Sequence, residues 1–596
     1  MKTAFDIRAA EFHHNFDLDP AGQESQEDML GIFQQASRSK LSHVILGESW
    51  PRGLSRLIKY TDIPELNSFI DTDAVMQRQN NFAKFAAAAK ELDLTLWANS
   101  NPIAYPEGFL SVFPDARAVN PRGEDRSHSN NSCFKPKPDL CPKHPMVRKL
   151  LITQVRELLK LPGIKGLSCW LNMSDSLIFS CQCELCASSN LGEVIADFAN
   201  LLYTECAVQG KRLNIRTYLG SWQCGLETQA FLEAAPLMYP EIEITYKQQQ
   251  GDMYNEHPLN PLVGKLASHR EIIEFDTYGE YRGQSLGITC SCRNQMQERM
   301  QFAAKAGVKG VAFRGIHHIH RFSLDADLFG ALALKPDLDN DAWCKNWLKA
   351  RFGGGEEKIL NILDRSWEVC RRSMYIKGIN WASWSVPKSL ERLRFILYDR
   401  SASCVEGAFE RLKVTEAMIS EVADIHNDAI NIAEKILEDC EKLKSEIKSE
   451  DYQCLRASME VLYAYSRLVR PLIQMVLRAF QWERLESATM REFRRFELID
   501  AIKKTEQEIK NTTKLFENLD KEALFLMMGP IELVALPPDK RMQLPLDNAK
   551  RICDDIRELI DVKPSSFTGI VPWPERWPEG SSIADYGDEE VLKFWN

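Results

Sequence analysis

Eight times in its first 330 residues the chain runs through one cycle. A short β-rich run gives way to a polar loop, then to a segment whose apolar residues recur every three or four positions. The β-rich runs cover 5–16, 43–48, 94–99, 164–172, 213–219, 242–247, 272–278 and 310–316. Helix-period segments such as 27–39, 79–92, 146–159, 193–208 and 294–306 lie between them. Each crossover is long enough to bring the chain back for a parallel neighbour. Eight runs, with no Gly-x-Gly-x-x-Gly after the first, predict an α/β chain folded as a (β/α)8 TIM barrel and not an open doubly wound sheet.

Polar residues cluster where these runs finish: Glu11, His13 and His14; Glu48; Asn99 and Asn101; Asn172 and Asp175; Arg216 and Tyr218; Lys247; Asp276 and Glu280; Arg314, His317 and His318. Strand ends always meet polar loops, but loops rarely supply so many ionisable groups just where buried strands stop. A closed parallel barrel gathers those ends on one face, the face that carries catalysis in this fold.

Among the carboxylates, Asp252 follows the sixth run and Glu280 the seventh, each beside aromatics and a glycine. Neighbouring strands bring them to one mouth. Cleaving a glycosidic bond takes an acid at the leaving oxygen and a base or nucleophile at the anomeric carbon. Trp50, Trp97, Trp170, Trp222, Tyr246 and Tyr281 supply faces on which sugar rings stack. Arg216, Lys247 and Arg314 end three runs, and converging cations suit an anionic ligand. Ion pairs with Asp175, Asp252, Asp276 or Glu280 would use the same cations, and the sequence leaves both options open. The histidines at 13, 14, 317, 318 and 320 are read as partners of sugar hydroxyls in preference to metal ligands.

Cys181-Gln-Cys183-Glu-Leu-Cys186 places three thiols within six residues, and Cys141 precedes the preceding helical segment. Four thiols meet the ligand count of a structural zinc; reduced cysteines packing a long loop would also fit. Cys290 and Cys292 form a second pair that would serve instead.

Beyond residue 331 the β signal stops. Segments 342–352, 357–375, 388–448, 451–485 and 487–518 read as helices, with Pro471 as a kink or break. Met418, Val422, Ile425, Ala429, Ile432, Ile436, Leu443 and Ile447 form one apolar seam, either inside a bundle or between two copies in a homodimer. The expected organisation is a barrel over 1–330, a helical domain over 331–560 and a tail over 561–596. In that tail Trp573 and Trp577 lie among Pro572, Pro574 and Pro578 and are expected to pack back onto the body.

A formal charge of −10, with no basic tract, argues against nucleic acid as a partner. No apolar stretch is long enough for a membrane span, and the amino terminus carries charges where a signal peptide needs apolar residues. The 16 cysteines are scattered without small-module spacing. A cytoplasmic protein with reduced thiols is the expectation.

Residues 244–266, with Lys247, Gly251, Asp252, Glu256 and Pro258 ahead of Pro261-Leu262-Val263-Gly264, resemble the α-glucuronidases of glycoside hydrolase family sixty-seven. The block Glu274-Phe-Asp-Thr-Tyr-Gly-Glu280-Tyr281-Arg-Gly283-Gln284 is similar to that family's Glu-Tyr-x-Gly-Gln segment, and Ile215-Arg216-Thr217-Tyr218 to its fifth-strand run. The resemblance spans roughly 165–345. It implies that Asp252 and Glu280 activate water in an inverting mechanism, and that Arg216 and Lys247 hold a uronate carboxylate. Two departures stand out. The family has a β domain ahead of its barrel, and its general acid is a Glu where this chain has Leu177. Asp175 or Glu48 would have to replace that acid, with Asp175 favoured by position. The cysteine run also resembles one in uncharacterised barrel proteins related to the glucuronidases. The expectation is a cofactor-independent glycoside hydrolase that removes a terminal acidic sugar from a short oligosaccharide. Trp222, Tyr281, Glu48, Arg314, His317 and His318 would contact the substrate. Two alternatives remain open: a barrel hydrolase for a neutral or N-acetylated sugar, and a carbohydrate-binding barrel without catalysis.

Overall fold

All eight β-rich runs form strands: β1 Ile7–His13, β2 His43–Gly47, β3 Thr95–Ser100, β4 Ile164–Trp170, β5 Arg212–Arg216, β6 Glu243–Lys247, β7 Arg270–Phe275 and β8 Gly310–Arg314. They close into a parallel barrel in sequence order, with β1 pairing both β2 and β8. The computed structural model describes residues 4–13, 26–47, 54–100, 105–106, 108–119, 140–170, 172–173, 176–177, 181, 183–217, 225–247, 260, 262–266, 268–275, 286–314, 324–376, 379–382, 385–394, 397, 414–485, 487–528 and 538–561. The proline-rich tail, with Trp573 and Trp577, lies outside them.

Helices follow the strands and pack on their outer faces: α1 Gln26–Arg38, α2 Thr72–Glu91, α3 Pro145–Lys160, α4 Leu191–Val208, α5 Gly225–Ala234, α6 Arg293–Lys305 and α7 Leu324–Leu334. Local chemistry sets several of their starts. The Asp71 side chain accepts from the amides of Asp73 and Ala74, and Asn190 with Glu193 forms a reciprocal capping box on α4. Between β6 and β7 the described residues hold turns and no helix. There the Glu271 carboxylate bonds the Tyr246 hydroxyl and accepts the amides of Gly264 at 2.8 Å and Leu266 at 2.9 Å, fixing the return into β7.

Strand residues alternate between the barrel interior and the helical coat. Ile7, Ala9, Ile45, Trp97, Ile272 and Ala312 form a small interior core, distinct from the large core between strands and helices. Trp97 fills space that Gly166 leaves open: a Cβ there would lie 2.7 Å from the indole nitrogen.

The carboxyl-terminal region is helical: α8 Asn340–Phe352, α9 Glu356–Ser373, a short helix Leu390–Arg394, α10 Glu416–Glu441, α11 Ser449–Glu483, α12 Ala488–Glu517, α13 Lys521–Met528 and α14 Pro538–Asp561. One expectation is corrected. The span 388–448 is not one long helix, because α10 starts afresh at a Thr415 cap that accepts the Met418 amide. Pro471 lies within α11 without ending it. The apolar seam of α10 packs against α9 and α11 of the same chain.

Barrel and bundle are joined by more than covalent continuity. The Ser458 hydroxyl on α11 donates to Gly287 O (2.7 Å) and accepts the Thr289 amide (2.8 Å). Arg293 at the start of α6 reaches Asp364 on α9 and Asn340 on α8. One apolar core runs through both regions.

Candidate active site at the barrel mouth

Inward positions near the carboxyl ends of the strands build a charged layer in the barrel. Arg216 of β5 bonds Glu11 of β1 and forms a two-pronged pair with Glu274 of β7. Lys247 of β6 donates to the same Glu274 carboxylate at 3.0 Å. Asn99 of β3 donates to Glu11 at 3.1 Å. The Arg216 guanidinium lies 3.5 Å from the centre of the Trp170 ring, a cation–π stack that shields one face of the ion cluster. Arg216 and Glu11 are on strands that are not neighbours, so their bond must cross the barrel interior.

The four charged side chains are at most 3% exposed. Two cations face two carboxylates, so the described part of the layer is charge-matched. This is the arrangement in which buried ions are tolerable, since each is paired and hydrogen-bonded. The Asn99 side-chain carbonyl is buried with no hydrogen-bond partner. Its amide nitrogen is committed to Glu11. Below the layer, Ser168, Asn214 and Thr245 are linked by bonds of 3.0 and 2.8 Å and carry the polar stack deeper into the barrel.

The opposite end of the barrel is charged as well, with Glu243 between Arg212 and Arg270. Burial first, then Arg212, Arg8 and Arg270, push the His43 imidazole down to about 4, so this ring is neutral near pH 7.

Of the residues expected at the site, Arg216 and Lys247 come together through Glu274. That residue and Glu11 are carboxylate partners that the sequence reading did not assign to them. The period-two alternation could have found both: Ile272 and Ala9 face inward, so Glu274 and Glu11, two positions on, face inward too. Asp252, Glu280, Asp175, Glu48, Trp222, Tyr281, His317 and His318 lie outside the described residues. Arg314 closes β8, where its backbone pairs in register with Glu11. After β4, Asn172–Met173 pairs antiparallel with Ser176–Leu177, and Asp175 lies between these arms in sequence.

The cysteines form a second cluster. Cys141, Cys181, Cys183 and Cys186 bring their sulfurs within 4.8 Å of one another, a set able to hold a metal ion. Cys290 and Cys292 lie apart from it, in the main apolar core.

These features define a (β/α)8 barrel with a paired-ion layer at its carboxyl end and a helical bundle fused to its wall. No family model matches the chain, and no curated protein does. The chain is similar to a solved structure described as a GH138 enzyme targeting pectin rhamnogalacturonan II. The TM-score is 0.59 at 12% sequence identity, over 94% of this chain and 66% of that one, so the chain spans just under two thirds of that structure's length. At this identity the likeness shows a shared fold. The α-glucuronidase resemblance rests on the residues quoted for it alone. Among the described residues no helix is long and apolar enough to cross a membrane.

Proposed function

We propose that the chain is a glycoside hydrolase working at the carboxyl end of its barrel on the end of a short oligosaccharide. The observation that carries this reading is the buried layer of Glu11, Asn99, Arg216, Lys247 and Glu274. Apolar side chains would fill a barrel end at lower cost, so an ionic layer there suits a site retained for its chemistry. Fold likeness to a glycoside hydrolase supports the reading by analogy.

In this reading Asp252 and Glu280 activate the attacking water, and Asp175 protonates the leaving oxygen. Lys247 and Glu274, bonded to each other in register on β6 and β7, lie just ahead of Asp252 and Glu280 in sequence. The two loops are therefore rooted side by side, which suits carboxylates meant to flank one water. Glu11 and Glu274 orient the cations, and Asn99 accepts a sugar hydroxyl. The reaction needs no cofactor.

Removal of a terminal uronic acid is the reaction that the resemblance implies, with Arg216 and Lys247 holding its carboxylate and Arg314 contacting the substrate. A second reading, a neutral or N-acetylated sugar, is favoured by a specific observation: Arg216 and Lys247 already have carboxylate partners. Release of aryl groups from a panel of aryl uronides and neutral aryl glycosides separates the two. Asp252→Asn with Glu280→Gln should abolish turnover while circular dichroism stays unchanged. Full turnover by that double variant would sink the carboxylate assignment, and silence across the panel would favour a binding barrel.

A further inference from the structure

From the four-cysteine cluster we infer that Cys141, Cys181, Cys183 and Cys186 hold one zinc ion as a tetrathiolate, clamping the loop after β3 to the loop after β4. The inference rests on the cluster's own geometry and stands apart from the proposed hydrolase reading.

The sulfur spacing comes first. Cys141 Sγ lies 3.4 Å from Cys183 Sγ and 3.6 Å from Cys186 Sγ. A disulfide would need about 2.05 Å. Four sulfurs around one zinc, each at about 2.3 Å, stand roughly 3.8 Å apart at tetrahedral angles. The observed spacing is that of sulfurs sharing one small ion. All four lie within 4.8 Å of one another, too close to be spread around several iron atoms.

Backbone geometry supports the same reading. The Val119 amide donates to Cys181 Sγ at 3.5 Å. A backbone amide that donates to a sulfur fixes the direction of that side chain, as the outer partners of metal ligands do. Between the last two cysteines the chain makes a tight turn, with the amides of Cys186 and Ala187 both donating to Cys183 O at 2.9 Å. The Cys141 amide donates to Ala116 O at 2.8 Å, and Arg117 bridges Leu140, so the other half of the cluster is also held by backbone.

The surroundings explain what the ion does. The cluster is a satellite core in which Ala118 and Val119 are the only apolar partners of the four cysteines among the described residues, separate from the main core. So small an apolar group gives two long loops little reason to hold one arrangement. Four soft thiolates in a closed, mostly buried set select zinc over harder cations and leave no position for substrate. The role is structural. The clamped segments are those entering α3 and α4 on the mouth side of the barrel, and residues 171–180 run directly into Cys181.

The test uses the full chain, purified without added chelator. Elemental analysis should give one zinc per chain, and replacement by cobalt(II) should give the visible bands of a tetrahedral tetrathiolate. Cys183→Ser, at the least buried of the four, should cut bound zinc at least tenfold while far-ultraviolet circular dichroism keeps the barrel signal. Should that variant fail to fold, the cobalt spectrum of the unaltered chain still decides. Zinc-free protein with four freely titrating thiols, a Cys141–Cys183 disulfide, or a red mononuclear iron centre would each overturn the assignment.

Discussion

Arg216 illustrates how much can rest on one side chain. Its guanidinium bonds two carboxylates from two strands and stacks on an indole from a third. Removing it would leave Glu11 and Glu274 facing each other in a dry interior, with Lys247 the remaining described cation beside Glu274. Breaking a buried pair by deleting one partner costs about 3–5 kcal/mol. Arg216→Met is therefore expected to lose stability on that scale, read as a lower urea midpoint at unchanged slope. Arg216→Lys would keep the charge but lose the two-pronged geometry, and should fall between the two. A methionine variant as stable as the parent would show that the cluster contributes nothing to the fold.

At the level of elements, α10 carries an exception within its own pattern. The seam expected from sequence used Ile425 and Ile432, whereas the buried face runs through Met418, Val422, His426, Ala429, Ala433 and Ile436. Burial, assisted by Arg470, pushes His426 down to about 3, and neither ring nitrogen has a hydrogen-bond partner. The unfolded chain takes up this proton near pH 6.5, while the native helix resists it until about pH 3. Stability is thus intact above pH 6.5 and is lost progressively as pH falls toward 3. His426→Leu should flatten that slope, seen by comparing urea midpoints at pH 7 and pH 4.5 in both proteins. Equal slopes would mean that another group sets the acid limit.

Elements also show what could be read in advance. The eight strands were legible because each is a short β-rich run bounded by polar loops, and β2 and β6 are buried throughout. Helix α2 begins at Thr72, ahead of its expected start at 79, because the polar Asp-Thr-Asp opening is a cap and first turn rather than a loop. Helix α14 was hidden by Pro538 and Pro545, residues that usually mark breaks. The four cysteines were legible as a set because three lie within six residues. The Glu11–Arg216 bond was not, since its members are 205 positions apart and only barrel closure brings them together.

For the whole molecule, the joint between barrel and bundle matters most. Arg293, Asp364, Asn340 and Ser458 tie the two regions where their apolar interiors merge. Regions sharing a core should unfold together, so calorimetry is expected to show one transition for the intact chain. Two resolved transitions, or a 1–330 fragment that melts as sharply as the full protein, would contradict that. The wall has a consequence of another kind. Strand β1 bonds β8, with Ile7 set against Gly310, so during synthesis the first strand of the barrel waits for the barrel's last. At about 5–20 residues per second, that wait is on the order of tens of seconds. Throughout it the nascent sheet presents two raw edges to the crowded surroundings of the ribosome. A cell making this protein must shelter those edges, and slower translation would lengthen their exposure in proportion.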